Sequence, residues 1–236
     1  MTSAPDLKKD RATISGMFNS IASKYDLLNR VLSFGTDVVW RKILIKKVVK
    51  SSPESILDLA CGTGDLTISF AKKGYRVYGA DIAEKMIDVA KRKWRQNWGK
   101  GPDYYIASAE NLPFEDDSFD VVTISFGIRN FDHREQCERE IARVLKRSGM
   151  LVVLEFATPR NYLWGKIYRF YFHNILPVLG RLVSKDSSAY SYLPASVDSF
   201  PQYEEFCKEL ENNGFNNATY KPLSGGISVL YIAKKT

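Results

Sequence analysis

The sequence is poor in cysteine and histidine. Its three cysteines, Cys61, Cys137 and Cys207, are widely scattered, which excludes a disulfide framework, and no CxxC pair suggests a thiol or zinc motif. The two histidines, His133 and His173, sit in no motif, so neither a histidine base nor a metal site is assigned. No apolar run approaches the ~18–20 residues that a membrane-spanning helix requires. The first ten residues are polar and charged, unlike a secretory leader. There is no internal repeat, low-complexity tract or interdomain linker. These absences lead us to expect a cytoplasmic protein.

What is there suits a globular domain. The 236 residues are 44% apolar, enough for one α/β domain with a small appended subdomain. The net charge is +7. It is dispersed over pairs and triplets such as Lys46-Lys47, Lys91-Arg92-Lys93 and Lys146-Arg147, which fits a solvated surface, an anionic membrane face or an acidic substrate. No zinc-finger spacing or RNA-binding aromatic motif occurs, so nucleic acid is not expected as a partner.

The chain is organised around Ser55 to Thr67. A short apolar run containing Asp58 leads into Cys61-Gly62-Thr63-Gly64, and a helical pattern follows. This reads as strand, tight turn and helix N-terminus, where glycine permits close approach of a ligand and the amides favour an anion. The third glycine of a dinucleotide fingerprint is replaced by Thr67, which weakens the case for a pyrophosphate. The Asp58-x-x-x-Gly62-x-Gly64 spacing instead matches the S-adenosylmethionine loop of class I methyltransferases.

The rest of the chain supports a doubly wound sheet. Strands are expected at 56–59, 76–80, 104–107, 119–125 and 150–156, with helices at 66–73, 82–98 and 132–145. In the 82–98 helix, Met86, Val89, Ala90 and Trp94 form the inner face. Lys146-Arg147-Ser148-Gly149 reads as a turn. The second strand ends at Asp81, near the ~20-residue offset of a ribose-binding acid. A last helix over 203–213 precedes strands at 218–222 and 227–233, a hairpin that implies one antiparallel edge strand. The fold expected is thus a Rossmann-like α/β domain of seven strands, mostly parallel, spanning 51–236. Residues 1–10 read as a tail. Residues 11–50 read as helical, broken near Ser33-Phe34-Gly35, and residues 1–50 form either a packed helical leader or a lid. An aromatic and basic insertion, 158–201, fits core packing, a greasy pocket, base stacking or a membrane contact. Arg129-Asn130, just past a central strand, reads equally as a functional pair or as an ion pair and a helix cap.

Several blocks together resemble the quinone-biosynthesis C-methyltransferases of the menaquinone and ubiquinone pathways. Tyr25-Asp26-Leu27-Leu28-Asn29 with Ser33-Phe34-Gly35 resembles their N-terminal motif, and Asp58 to Leu66 their cofactor loop. Ala109 to Phe114 and Thr123 to Asn130 are similar to their next two motifs. Leu154-Glu155-Phe156, Leu176-Pro177, Tyr192-Leu193, Phe200-Pro201 and Gly225-Gly226-Ile227 extend the likeness from about residue 13 to the C-terminal strands.

The resemblance implies S-adenosyl-L-methionine as cofactor, held at Thr63, Asp81, Ser108, Ala109 and Ser125, with Asp58, Gly62, Gly64 and Ile82 completing the site. Asp58 would steer the cofactor ammonium, Asp81 the ribose, and the Ala109 amide the adenine edge. Cys61 stands where the family has glycine, and Ser108 where Asn or Asp is usual. The implied substrate is a prenylated quinol, demethylmenaquinol first and a polyprenyl-methoxybenzoquinol as the alternative. Arg129 and Asn130 would bind and polarise the phenol oxygen, and Tyr25 would orient the ring. The insertion would hold the prenyl tail, with peripheral contact at the inner membrane face. A homo-oligomer is left open, as are two readings of other classes: an RNA methyltransferase and a non-catalytic scaffold.

Overall fold

The computed structural model describes residues 10–94, 98–175 and 188–236. The expected tail and Leu176-Pro177 lie outside these described residues. In chain order the helices are α1 (Arg11–Ile21), α2 (Tyr25–Leu32), α3 (Thr36–Val49), α4 (Asp65–Ala71), α5 (Glu84–Lys93), α6 (Arg134–Val144), α7 (Tyr162–Phe170), α8 (Ser188–Asp198) and α9 (Glu204–Asn212). The strands are β1 (Ser55–Leu59), β2 (Arg76–Asp81), β3 (Asp103–Ile106), β4 (Phe119–Ser125), β5 (Leu145–Phe156), β6 (Phe215–Leu223) and β7 (Ser228–Lys235).

The strands form one sheet in the order β3-β2-β1-β4-β5-β7-β6. The pairings among β1 to β5 are parallel, whereas β7 runs antiparallel to both β5 and β6. Every residue of β1 is buried, as befits a central parallel strand covered on both faces. On one face α6 and α9 bring Ile141, Val144, Phe206 and Leu210 against Leu57, Ile124 and Val153. On the other, α3 and α4 bring Trp40, Leu44, Val48, Leu66 and Phe70 against Ile56, Val121 and Val152. The strand order reverses between β1 and β4, and ligands of such sheets bind outside the strand C-terminal ends at that point.

Several boundaries differ from expectation. The antiparallel strand is β7, and it is interior, with β6 at the edge. The reason is legible in burial: Val229, Leu230, Tyr231 and Ala233 of β7 are all buried, whereas β6 between its buried ends is half-buried or exposed throughout and carries Pro222, a residue tolerated at an edge. Lys146 to Gly149 does not leave the sheet but forms an irregularity inside β5, where the ladder shifts register and Ser148 takes φ +60°. The helix expected over 82–98 ends at Lys93. Trp94 is extended and donates its indole N–H to the Gly99 carbonyl, so it is not on the helix's inner face. Residues 11–50 form three helices, with a break at residues 22–24 besides the one at 33–35. Of these, α3 belongs to the sheet's core, while α1 packs on α5 through Ile21, Ala22 and Met86.

Candidate functional site

The glycine loop leaves β1 with Ala60, Gly62 and Gly64 all at positive φ. A Cβ on Gly64 would lie 2.7 Å from the Tyr104 hydroxyl oxygen and 2.8 Å from the Ala90 Cβ, so only glycine lets the loop close onto α5. Gly127 does the same for the loop after β4, where an added Cβ would stand 2.6 Å from that of Ala60. Asp58 lies beneath the loop. Its carboxylate accepts from the Thr67 hydroxyl at 2.5 Å and the Thr123 hydroxyl at 3.0 Å. Burial pushes its pKa up to about 6, with the two threonine bonds opposing. It does not line the cleft described next. Thr67, read from the sequence only as a missing glycine, is thus the anchor that fixes this acid.

Above the loop lies a cleft with about 740 Å³ of empty space, lined by Tyr25, Gly62, Asp81, Ile82, Ser108, Ala109, Ser125 and Asn130. The Asp81 carboxylate accepts the Gly62 amide at 2.8 Å and the Ala83 amide at 2.8 Å. Each oxygen keeps a lone pair for a hydroxyl of a ligand. Burial raises its pKa, against the backbone amides. The Ser108 hydroxyl donates to the Glu110 carboxylate, which also lines the cleft. Ser125 Oγ is buried without a hydrogen-bond partner. An orphaned buried hydroxyl on a cleft wall is a site awaiting a polar ligand atom. A paired-hydroxyl acceptor at Asp81, a turn at Ala109 on the cleft wall and this hydroxyl fit the chemistry of S-adenosyl-L-methionine.

Thr63 faces the other way. Its hydroxyl donates to Asp26 of α2, and Lys93 of α5 bridges Asp26 and Asp65 at 2.7 and 2.5 Å. Arg30 reaches Asp65 at 3.2 Å and Arg41 reaches Asp37 at 2.5 Å. This network ties the N-terminal helices to the loop and the start of α4.

A second, larger cavity adjoins the first, with about 1700 Å³ of empty space. Phe18, Tyr25 and Phe126 line both. Its other walls are mainly apolar, from α2, α3, β5 and α7, including Leu28, Trp40, Phe156, Tyr168 and Phe172. Arg129, in a short 3-10 turn over Ile128–Asn130, is buried here. Its Nη1 donates to Glu155 at 2.8 Å and to the Phe126 carbonyl at 2.5 Å, and its Nε to Ser196 at 3.2 Å. The ion-pair reading of Arg129 is the one its contacts bear out, and the pair holds the guanidinium at a cavity wall. Burial raises the Glu155 pKa, and Arg129 opposes that rise. Asn130 accepts from the Tyr192 hydroxyl at 3.1 Å through its side-chain oxygen and does not cap the next helix, whose N-cap is His133. Burial pushes the Tyr25 phenol up as well.

The structure therefore brings Tyr25, Gly62, Asp81, Ile82, Ser108, Ala109, Ser125 and Asn130 together around one cleft and sets Arg129 in the next cavity. Asp58, Thr63 and Gly64 do not line this cleft. Sequence reasoning missed Glu155, Tyr192, Ser196 and Tyr168, whose hydroxyl is buried without a partner. An acid closing an otherwise apolar strand was the available signal for Glu155, because such a charge must be paired.

Comparison with known proteins identifies the family. The model of the ubiE/COQ5 methyltransferase family matches residues 5–235. A ubiquinone/menaquinone biosynthesis C-methyltransferase of Geotalea daltonii is 43% identical over 226 residues, covering 94% of this chain and 96% of its own. A demethylmenaquinone methyltransferase of Chlorobaculum tepidum is 42% identical over 232 residues, covering 96% and 94%. A solved S-adenosylmethionine-dependent methyltransferase of Thermotoga maritima superposes with a TM-score of 0.63 at 18% identity, covering 94% and 99%, a likeness of fold. Fold and family together imply S-adenosylmethionine. By a match that runs almost from end to end, the chain belongs to the ubiE/COQ5 methyltransferase family.

Proposed function

We propose that this protein methylates a ring carbon of a prenylated quinol, demethylmenaquinol in the first instance, with S-adenosyl-L-methionine as donor. The observation that carries the reading is the shared wall: a cleft that holds Asp81, Glu110 and Ser125 among apolar neighbours meets a mainly apolar cavity at Tyr25 and Phe126. A methyl donor and a greasy acceptor need such adjoining sites for in-line approach. The names of the two relatives above point the same way.

When bound, the cofactor supplies a sulfonium methyl. Asp81 accepts its ribose hydroxyls, the Ala109 amide meets the adenine edge, and Ser125 donates to or accepts from it. Asp58 acts one step back, by fixing Thr67 and hence the loop whose amides receive the carboxylate end. A quinol carbon becomes nucleophilic when the neighbouring phenol is ionised. Arg129 stabilises that phenolate inside a low-dielectric cavity, where a fixed cation is most effective. Glu155 and Ser196 hold the guanidinium in place, and Tyr192 holds the Asn130 amide. Tyr25 lies between donor and acceptor and orients the ring. The helices α1 and α2 serve as the lid over both sites.

The test uses purified protein, methyl-labelled S-adenosylmethionine and chemically reduced demethylmenaquinol in detergent, with a methoxybenzoquinol in parallel. Label on the naphthoquinol ring is expected. Label only on the benzoquinol would move the substrate to the ubiquinone pathway, and label on neither would end the reading.

A further inference from the structure

We infer that Arg41 reads the acceptor's second oxygen: with one hydroxyl of a para-diol ring at Arg129, the other is bound by Arg41, so that the cavity selects a diol over a monophenol. This second contact rests on the quinol reading above and adds a specificity-determining residue to the same site. Two buried acids hold arginines at the wall of the larger cavity. Glu155 holds Arg129. Asp37, 2% exposed in the first turn of α3, holds Arg41 one turn further on, with Oδ2 2.5 Å from Nη1. The Ser33 hydroxyl donates to the other oxygen of Asp37 at 2.8 Å.

An ion pair four residues apart at the start of a helix is ordinarily a fold element, since an acid there meets the positive end of the helix dipole. This one differs in where it lies and in what it leaves unspent. Asp37 and Arg41 line a space whose other walls are mainly apolar, and the Arg41 side chain is only 13% exposed. A cation so placed is costly unless its donors are satisfied. Nη1 makes every hydrogen bond and ion pair that Arg41 has among the described residues, to Asp37 at 2.5 Å and to Asp65 at 3.7 Å. Nε and Nη2 keep their protons for a ligand. Arg129 likewise keeps Nη2, because its bonds run from Nε and Nη1.

One aromatic stack relates the two cations. The Phe126 and Phe156 rings are stacked with centroids 4.4 Å apart. The guanidinium carbon of Arg41 lies 5.8 Å from the Phe126 centroid, and that of Arg129 lies 5.6 Å from the Phe156 centroid. Phe126 also lines the smaller cleft, so a ring whose carbon meets the methyl group lies beside it. Both guanidiniums act on Tyr25, another residue of the shared wall: burial raises its pKa, the Asn29 bond lowers it, and Arg129 and Arg41 lower it further. A ring at this wall is therefore in reach of both fields. Oxygens on opposite sides of one ring can meet both guanidiniums at once. A monophenol leaves one of them desolvated and unmatched, and a site built to bond a hydroxyl rejects the analogue without it. The competing reader is Tyr168, whose hydroxyl is buried without a partner at the same cavity. It lies on α7, stacked on Phe172, and does not line the smaller cleft.

The experiment compares a short-chain demethylmenaquinol with the naphthol that lacks only the oxygen remote from the methylated carbon. The full chain and methyl-labelled S-adenosylmethionine give kcat/KM for each ring. Calorimetric binding of both rings in the presence of S-adenosylhomocysteine gives the same ratio without chemistry. The diol's greater intrinsic reactivity is common to all variants and cancels between them. Arg41→Gln should lower the diol-to-naphthol ratio about tenfold or more, the scale of one charge-assisted hydrogen bond, and Arg41→Lys should restore part of it. A purely structural Arg41 would lower both rates together and leave the ratio at the parent value, which would overturn the proposal. So would a ratio kept by Arg41→Gln and lost by Tyr168→Phe, which would give the second oxygen to Tyr168. If Arg41→Gln melts early because Asp37 is left without its counter-charge, Asp37→Asn/Arg41→Gln removes the pair together and is read in the same way. A parent that methylates the diol, with the ratio unchanged in the variants, refutes the role of Arg41 alone. A parent that methylates neither ring refutes the quinol reading, and the role of Arg41 falls with it.

Discussion

Thr63 of the glycine loop donates its hydroxyl to Asp26 of α2 at 2.5 Å, so the glycine loop is hydrogen-bonded to a helix that lines the larger cavity. Lys93 and Asp65 complete the tie. We expect this latch to couple the two spaces, because it ties α2, whose Tyr25 lines both, to the glycine loop.

Asp26→Ala cuts this latch. We expect faster amide exchange in α2 and about fivefold weaker binding of S-adenosylhomocysteine, since each charge-assisted bond contributes roughly 1.5–3 kcal/mol before compensation by the remaining pairs. Calorimetry and hydrogen exchange on the same samples check both. Unchanged exchange in α2 would refute the latch.

Removing the cation and removing its holder should differ. Arg129→Ala lowers kcat about a hundredfold, the usual scale for losing one stabiliser of a developing oxyanion, with cofactor affinity nearly intact. Glu155→Gln leaves a guanidinium buried without its counter-charge, which costs about 3–5 kcal/mol, so its first effect is a lower melting temperature. Full turnover by Arg129→Ala would remove the residue from the mechanism.

Asp58 predicts a pH dependence of stability. Its pKa is raised from 3.8 to about 6 in the folded chain. Below pH ~3 the carboxyl is protonated in both states and carries no penalty. As pH rises toward about 6 the unfolded chain ionises first, and stability is lost. Above that the penalty is complete, at about 3 kcal/mol. Asp58→Asn lacks this term, so its melting temperature relative to the parent should climb between pH 4 and 6.5 and then level. A difference that moves the other way would mean that the carboxylate form is the one stabilised.

Ser125→Ala removes a buried hydroxyl that has no protein partner. The unliganded protein should melt no earlier than the parent, because an orphaned polar group costs about 1–3 kcal/mol rather than contributing. Cofactor binding should weaken three- to tenfold. A loss of stability with unchanged affinity would mean that the hydroxyl serves the fold.

Tyr168→Phe asks the same of the second cavity. Its hydroxyl is also buried without a partner. If it meets the quinol's other oxygen, KM for the quinol rises about threefold while kcat and melting temperature hold, the effect of one neutral hydrogen bond. Identical kinetics would assign Tyr168 to packing with Phe172.

Local chemistry made much of this protein legible from the chain alone. Gly62 and Gly64 announce a turn that a ligand approaches, Asp81 follows at the ribose spacing, and five apolar runs alternating with helices dictate a doubly wound sheet. These are short-range patterns, and a sequence states them directly. Other features depend on what tertiary packing places opposite each residue. Asp58 and Asp81 are both strand-end acids in the sequence, yet two threonine hydroxyls seal one beneath the loop, while two amides hold the other in the cleft. Arg129 reads alone as either a pair or a site, and only the fold brings Glu155, 26 positions on, to pair with it at a cavity wall. The final hairpin is legible as two strands, but which one becomes the edge is decided by burial against β5. Thr63 points away from the cleft for the same reason: its partner, Asp26, lies 37 residues earlier, on a helix that only the folded chain brings near.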